Sequence, residues 1–194
     1  MEIHNWKKEV FTIPNLLSAL RLMLIPVYTT AYLRARTPGE HLAAAMILAL
    51  SCLTDLADGW IARRFHMTSI VGRVLDPAAD KATQLTLTLC LSLKHPALRR
   101  VLWLLILKES FQLTAGVLAL RRGRMLEGAL LCGKVSTTIF FASLVVLVLF
   151  PGLPREVVSL IAWIDSGLLA MSLWGYILVY LRKPDKFQNV RTNE

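Results

Sequence analysis

The sequence predicts an all-α integral membrane protein, built as a bundle of six transmembrane helices. Its mean hydropathy of +0.54 and its 55% content of hydrophobic residues exceed what a soluble domain needs to fill a core. A helix that crosses roughly 30 Å of hydrocarbon takes about 20 residues. Six apolar stretches of about this length follow one another along the chain: 15–34, 41–63, 74–94, 98–120, 127–150 and 156–181.

A short amphipathic helix is expected before the first span. Residues 2–13 combine Trp6 and Phe11 with Lys7 and Lys8, a composition typical of a helix that lies on the membrane surface. The six spans are then separated by segments rich in proline, glycine or charge, which end helices: 37–39, 63–72, 94–96, 121–124 and 151–154. Because none of these linkers is long, a single membrane domain over residues 1–194 is expected.

The basic residues predict the orientation of the chain, because lysine and arginine accumulate on the cytoplasmic side of membrane proteins. If the N-terminus is inside, the inside segments carry most of them: Lys7, Lys8, Arg63, Arg64, Arg73, Arg121, Arg122, Arg124, Arg182, Lys183, Lys186 and Arg191. The outside segments carry fewer: Arg34, Arg36, Lys94, Arg99, Arg100 and Arg155. We therefore expect a multi-pass protein of the cell membrane with both termini in the cytoplasm.

The net charge of +9 does not indicate nucleic-acid binding. The basic residues are dispersed around the membrane segments and are not gathered on one soluble face. A cationic rim on the cytoplasmic side suits anionic lipid headgroups instead. Membrane lipids are therefore the expected surroundings, and no nucleic-acid partner is expected.

Four aspartates between residues 55 and 80 stand out in this apolar chain. On helical geometry, Asp55 and Asp58 fall about 60° apart on the second helix, and Asp76 and Asp80 fall about 40° apart on the third. Because consecutive spans are antiparallel neighbours, the two pairs can converge. The spacing from the loop places them in the cytoplasmic third of the membrane.

Converging carboxylates predict a metal site. They repel one another and are pushed toward protonation in a poorly solvated place, unless cations are bound. Ligation by oxygen alone indicates Mg²⁺ or Mn²⁺ and not zinc. Gly59 and Ala62, on the face of the first pair, leave room for a flat or bulky group, and Gly72 is expected to let the backbone turn tightly before the third span.

The same stretch carries a family signature. It reads D-x-x-D-G-x-x-A-R from Asp55 to Arg63 and, after residues 64–71, G-x-x-x-D-x-x-x-D from Gly72 to Asp80. At every fixed position it resembles the signature of the CDP-alcohol phosphotransferase family of integral membrane enzymes. The resemblance implies transfer of a phosphatidyl group from CDP-diacylglycerol to an alcohol, with release of CMP, by a homodimer that uses two Mg²⁺ or Mn²⁺ ions.

The resemblance also assigns roles by position. The metal ligands would be Asp55, Asp58, Asp76 and Asp80, and Asp80 would in addition act as the general base. The residues at the CDP-linked lipid would be Gly59, Ala62, Arg63, Gly72 and Asn15. A carboxylate beside the attacking hydroxyl can accept its proton, which is compatible with the role implied for Asp80.

Further segments resemble the bacterial phosphatidylglycerophosphate synthases and related cardiolipin synthases of this family. Residues 14–21 (PNLLSALR) are similar to their P-N-x-L-T-x-x-R opening, and residues 76–81 (DPAADK) to their D-P-x-A-D-K segment. Residues 133–137 (GKVST) resemble the G-K-x-K-T of synthases that use glycerol 3-phosphate, but with Ser136 at the second basic position. In residues 107–109, Lys108 departs from the usual A-R-E-like triplet.

Glycerol 3-phosphate is the expected acceptor, with its phosphate bound by Arg21 and Lys134. A rim arginine is expected to help: Arg121, or alternatively Arg122 or Arg124. Arg21 and Lys134 fall at about the depth of the aspartates, so they can instead neutralise the carboxylates or reach lipid phosphates.

Other functions remain open. A cardiolipin synthase that uses phosphatidylglycerol is one alternative, and enzymes that use inositol phosphate or serine are others. A divalent-cation carrier is an alternative of a different class, which would move metal without releasing CMP.

Overall fold

The computed structural model describes residues 13–64, 70–121, 124–126, 131–182 and 187–189, and nearly all of these are helical. The elements in chain order are α1 (Ile13–Arg34), α2 (Pro38–Arg64), α3 (Ile70–Lys94), a 3₁₀ turn (Pro96–Leu98), α4 (Arg99–Arg121), β1 (Arg124–Leu126), α5 (Leu131–Leu149), α6 (Arg155–Arg182) and β2 (Phe187–Asn189). The all-α prediction is confirmed, with one addition. The two short strands pair antiparallel, Arg124 opposite Asn189.

Four helices, α1, α2, α3 and α6, run beyond the predicted spans because a helix continues into polar sequence until its backbone hydrogen bonds are interrupted. For α3 this changes one prediction. The helix begins at Ile70, so Gly72 lies in its first turn and not in a tight turn before it. The predicted surface helix over 2–13 lies outside the described residues, except for Ile13, which begins α1.

The chain divides into two compact units, residues 1–90 and 91–194. The first contains α1, α2 and most of α3; the second contains the end of α3 and everything after it. Helix α3 itself is continuous across the division. The single domain expected over residues 1–194 stays a prediction.

In the first unit, α1 and α3 run in the same direction with α2 between them in the chain. Ser18 and Arg21 of α1 contact Asp76 and Asp80 of α3 respectively, so residue numbers rise together along the two helices. At the other end of α1, the Tyr32 ring meets the ring of His41, in the second turn of α2, edge to face at 5.9 Å. The three helices of this unit therefore run in alternating directions.

The start of α2 is fixed by a reciprocal cap. The Thr37 hydroxyl accepts the backbone N–H of Glu40 at 3.3 Å, and the Glu40 carboxylate accepts the N–H groups of Arg36 and Thr37 at 2.6 and 3.2 Å. These backbone donors hold the pKa of the Glu40 carboxyl below its usual range. Pro38 follows the cap, where its missing N–H costs nothing. The cap explains why the helix starts before the apolar stretch that predicts it.

In the second unit, α4 and α6 also run in the same direction. Near their starts, the Arg100 guanidinium lies 3.8 Å from the centre of the Trp163 ring and donates to the Ser159 carbonyl at 3.3 Å. Further along both helices, the ring of Phe111 in the middle of α4 meets the ring of Tyr180 near the end of α6 edge to face at 6.2 Å. Helices two apart in the chain thus agree in direction in both units, which fits alternating membrane crossings.

Buried polar residues also occur in the second unit. Lys108 of α4 is almost fully buried and donates to the neighbouring Glu109 carboxylate at 2.8 Å. Asp165 of α6 is completely buried, with Ser143 of α5 beside it. The Lys108–Glu109 ion pair offsets the costly desolvation of both charges. The Asp165 carboxylate oxygens have no hydrogen-bond partner among the residues that the structure describes.

The structure identifies a membrane protein, though with fewer clear spans than the sequence predicts. Within the described residues, three helices are long and apolar enough to cross a bilayer: Asn15–Arg34, Pro96–Leu118 and Arg155–Tyr180. Shorter apolar stretches occupy Pro38–Thr54 and Val135–Leu149. In α3, the aspartates and Lys81 interrupt the apolar sequence. The six-span count is therefore not confirmed by length and composition alone.

One close contact in the second unit predicts a stability effect. A Cβ atom at Gly133 of α5 would lie 2.8 Å from the Tyr176 hydroxyl oxygen of α6 and 3.1 Å from its ring. We expect Gly133→Ala to destabilise the protein by about 1–3 kcal/mol, the usual cost of overpacking. The measurement is the midpoint of thermal unfolding in detergent, which is expected to fall.

Gly116→Ala in α4 is the matched control. A Cβ atom at Gly116 has no neighbour within 4 Å, and alanine favours helix over glycine by about 1 kcal/mol. The unfolding midpoint of this variant is expected to stay the same or rise. An equal fall in both variants would contradict the packing role of Gly133.

Candidate functional site

A buried polar face on α1 forms one wall of the candidate site. Asn15, Ser18 and Arg21 recur every three residues and are all buried, whereas Leu16 and Met23 between and beyond them are exposed. In a membrane helix, this pattern turns the polar face toward the protein and the apolar face toward lipid. The sequence placed Asn15 and Arg21 in the site, and the structure puts both on this face.

The α1 face contacts the two aspartates of α3. The Ser18 hydroxyl donates to Asp76 Oδ1 at 2.5 Å, and the Arg21 guanidinium donates through Nη1 to Asp80 Oδ1 at 2.6 Å. Asp76 and Asp80 are one turn apart, so Ser18 and Arg21, three apart, match them in register. Two carboxylates therefore lie side by side, each held by a donor from the neighbouring helix.

The Arg21–Asp80 ion pair is asymmetric. The Arg21 side chain is 2% exposed, whereas the Asp80 side chain is 51% exposed. A buried cation is retained only when an anion compensates its lost hydration. The Arg21 side chain therefore lies in the protein interior, while about half of the Asp80 side-chain surface remains accessible to solvent, substrate or a metal ion.

The other two aspartates belong to α2, and their side chains lie outside those that the structure describes. The depth of their backbone along α2, relative to α3, follows from the helical turns next to them. Ser51 of α2 and Thr83 of α3 border one cleft. Since the two helices are antiparallel, one turn onward along α2 reaches Asp55, and one turn back along α3 reaches Asp80. Asp58 follows Asp55 within the same turn, so the backbones of both pairs lie at similar depth.

The remaining predicted site residues fall outside this set of contacts. The side chains of Gly59, Ala62, Arg63, Gly72 and Lys134 are outside the described side chains. Arg121 is exposed at the end of α4, in the second unit. Their assigned roles stay predictions.

The donor atoms of the site suit a hard cation. Asp76 and Asp80 offer carboxylate oxygens, which Mg²⁺ and Mn²⁺ prefer. Among the side chains that the structure describes, no group of three or more His, Cys, Asp or Glu converges. The two carboxylates of α3 could supply part of a metal-ligand set, and the aspartates of α2 could supply the rest.

Ser18 was not singled out as a site residue from the sequence. It is completely buried and holds Asp76 by a direct hydrogen bond. A signal was available, since Ser18 occupies the hydroxyl position of the P-N-x-L-T-x-x-R pattern and lies three residues before Arg21. An apolar helix with a polar residue at every third position predicts one buried polar stripe.

Comparison with known proteins yields one family match. The family model for CDP-alcohol phosphatidyltransferase matches residues 11–178, which is most of the chain. The match includes all three helices, α1, α2 and α3, that carry the aspartates and their partners.

Several curated proteins resemble the chain. A CDP-diacylglycerol–glycerol-3-phosphate 3-phosphatidyltransferase of Bacillus subtilis is 26% identical over 183 residues, covering 86% of this chain and 94% of its own length. A cardiolipin synthase (CMP-forming) of Streptomyces coelicolor is 44% identical over 75 residues, covering 38% of this chain and 35% of its own. A cardiolipin synthase (CMP-forming)/mitochondrial hydrolase fusion protein of Schizosaccharomyces pombe is 42% identical over 89 residues, covering 46% of this chain and 14% of its own. The chain thus spans well under half the length of the two cardiolipin synthases.

Proposed function

This chain belongs to the CDP-alcohol phosphatidyltransferase family, and from that premise we propose that it transfers a phosphatidyl group from CDP-diacylglycerol to glycerol 3-phosphate in phospholipid biosynthesis. The products are phosphatidylglycerophosphate and CMP. The observation that carries the proposal is the pair of carboxylates on α3, held by Ser18 and Arg21.

The reaction needs one bond made and one broken. The acceptor hydroxyl oxygen attacks the phosphorus that bears the diacylglycerol, and the phosphorus–oxygen bond to CMP breaks. Asp80 takes the proton of the attacking hydroxyl, since its side chain is half exposed and oriented by Arg21. Ser18 keeps the Asp76 carboxylate turned toward α1, so both carboxylates have set orientations before the substrate binds.

Members of this family use divalent metal ions. Asp55, Asp58, Asp76 and Asp80 are proposed to hold two Mg²⁺ or Mn²⁺ ions, which would neutralise the charge of the diphosphate and orient the in-line displacement. Gly59, Ala62, Arg63, Gly72 and Asn15 are proposed to contact the CDP-linked lipid. For Asn15, its burial on the same face as Ser18 supports this proposal.

A phosphorylated acceptor is favoured by the Arg21 cation beside the Asp80 carboxylate. A guanidinium has five N–H donors in a fork that suits phosphate, so Arg21 can hold Asp80 and also donate to an acceptor phosphate. Lys134 and Arg121 are the other proposed phosphate ligands. The relative that aligns over nearly its full length carries the glycerol-3-phosphate name, which supports this acceptor.

A cardiolipin synthase is the second candidate. It would use phosphatidylglycerol as the alcohol, with the same carboxylates and the same release of CMP. Local identity of 44% to a CMP-forming cardiolipin synthase favours it over acceptors such as inositol phosphate or serine.

The acceptor can be identified with purified protein. CDP-diacylglycerol and Mg²⁺ or Mn²⁺ are supplied with glycerol 3-phosphate, phosphatidylglycerol, inositol phosphate or serine in separate reactions, and CMP and the lipid product are quantified. We expect CMP and phosphatidylglycerophosphate in equal amounts with glycerol 3-phosphate. Release of CMP only with phosphatidylglycerol would instead identify a cardiolipin synthase.

The proposed topology is six spans with both termini and the site facing the cytoplasm. The agreement in direction between α1 and α3, and between α4 and α6, supports alternating crossings. The acceptor is water-soluble, so a site at the cytoplasmic surface is accessible to it while the lipid chains remain in the bilayer. A homodimer is proposed from the family alone.

A further inference from the structure

A cleft opens directly beside the candidate site, within the first unit. It spans about 230 Å³, part of which is open to the surroundings, and is bordered by residues of α1, α2 and α3, among them Tyr28, Ser51, Thr83, Leu24, Leu48 and Leu87. Thr83 is one turn beyond Asp80 along α3, and Leu87 is one turn further. The cleft therefore starts one helical turn beyond Asp80 and extends along α3 away from the carboxylates, toward the middle of the membrane.

The polarity of the cleft changes in a definite order along α3. Along α3, Asp76 and Asp80 are followed by Thr83, Thr86 and Leu87; Ser51 borders the cleft from α2, and Leu24 and Tyr28 border it from α1. A diacyl lipid with a diphosphate headgroup has the same order of groups: charged diphosphate, ester linkages, then hydrocarbon. With the diphosphate at the aspartates, the ester linkages come to the level of the hydroxyls.

Only some of these hydroxyls can donate a hydrogen bond to a ligand. An ester carbonyl oxygen is solely an acceptor. The Thr83 hydroxyl already donates to the Ala79 carbonyl at 2.8 Å. The Tyr28 hydroxyl is buried, with the residue 4% exposed, and it has no hydrogen-bond partner among the residues that the structure describes. A buried donor of this kind normally has a partner, because leaving it unsatisfied is costly.

We propose that this cleft binds the ester segment of the donor lipid, with the Tyr28 hydroxyl donating a hydrogen bond to an acyl-ester carbonyl oxygen. The proposal rests on the proposed function, since it takes a diacylglycerol diphosphate as the donor. Tyr28 lies two turns beyond Arg21 along α1 and borders the cleft. Stacking on Tyr32, at 5.7 Å between ring centres, holds the Tyr28 ring in place.

The test compares CDP-diacylglycerol with its diether analogue, which lacks both ester carbonyls. Initial rates of CMP release are measured over a range of each lipid at fixed Mg²⁺ and acceptor concentration. We expect wild-type protein to show a kcat/KM roughly 5- to 20-fold higher for the ester lipid, typical of one lost hydrogen bond to a buried donor. Tyr28→Phe is expected to lower kcat/KM for the ester lipid by a similar factor and to leave the value for the ether lipid unchanged.

Tyr32→Phe is the matched control. Tyr32 lies one turn further from the aspartates and does not border the cleft, so the ester preference is expected to persist in this variant. Both substitutions remove one hydroxyl and keep the ring, and elution as a single peak from a sizing column checks the fold. The comparison of the two lipids on wild-type protein needs no variant.

The outcomes distinguish failure of the role of Tyr28 from failure of the proposed function. If wild-type protein releases CMP equally well from both lipids, or if Tyr28→Phe keeps the full ester preference, the role of Tyr28 is overturned while the proposed function stands. If wild-type protein releases no CMP from either lipid with any acceptor, the proposed function fails and this inference fails with it.

Discussion

Replacing Asp80 with asparagine is expected to lower the rate of CMP release by at least about 100-fold. A positioned general base contributes roughly 10²- to 10⁴-fold to a rate, and the same residue is a proposed metal ligand. In the wild-type protein, the Arg21 guanidinium donates a hydrogen bond to the Asp80 carboxylate at 2.6 Å. The side-chain oxygen of asparagine can accept the same hydrogen bond. The fold should therefore be retained, and the loss should appear in kcat at saturating substrates.

The control for this variant is Glu156→Gln, the same change from carboxylate to amide at an exposed position in the first turn of α6. It should leave CMP release unchanged. Metal-dependent CMP release that survives in Asp80→Asn at the wild-type rate would exclude Asp80 as the general base.

Replacing Arg21 with glutamine is expected to lower the catalytic efficiency toward glycerol 3-phosphate by roughly 10- to 100-fold. Hydrogen bonds to charged groups are worth about 1.5–3 kcal/mol, and the substitution removes the cation that orients Asp80. Because Asp80 is half exposed, water can solvate it after the change, so the effect on activity should exceed the effect on folding. The measurement is kcat and KM for both substrates.

The kinetic pattern of the Arg21 variant separates the two roles predicted from the sequence. A fall in kcat with every acceptor indicates that Arg21 acts by holding Asp80. A rise in KM confined to phosphorylated acceptors indicates that it binds the acceptor phosphate. Arg155→Gln, at an exposed position where α6 begins, is the matched control and should change neither constant. If Arg21→Gln keeps the wild-type kcat and KM, both proposed roles of Arg21 are contradicted.

Much of the site could be predicted because helical geometry is regular. Asp76 and Asp80, four residues apart, had to share a face of whichever helix contained them. The apolar stretches predicted the helices, and the buried stripe on α1 follows from the same periodicity. Arg21 could be recognised as a buried cation that needs a partner, although the sequence left its partner open between carboxylate and phosphate.

The pairing between helices could not be predicted in the same way. Periodicity gives the face of a helix and not its height against a neighbour, so the contacts of Ser18 with Asp76 and of Arg21 with Asp80 emerge only in three dimensions. The position of Tyr28 beside the cleft could not be predicted either, because nothing in the sequence distinguishes it from other tyrosines in apolar helices. The strands at Arg124–Leu126 and Phe187–Asn189 are too short to leave a pattern, and their pairing joins distant parts of the chain.

The most direct test of the metal-dependent phosphatidyltransferase site is CMP release by purified wild-type protein with and without divalent metal. CDP-diacylglycerol and the acceptor panel are supplied, first after chelation and then with Mg²⁺ or Mn²⁺ restored in increasing amounts. We expect no CMP after chelation and a saturable return of CMP with metal, in equal amount to the new lipid and only when an acceptor is present. Metal flux without CMP for every acceptor, or CMP release that chelation leaves unchanged, would contradict the account.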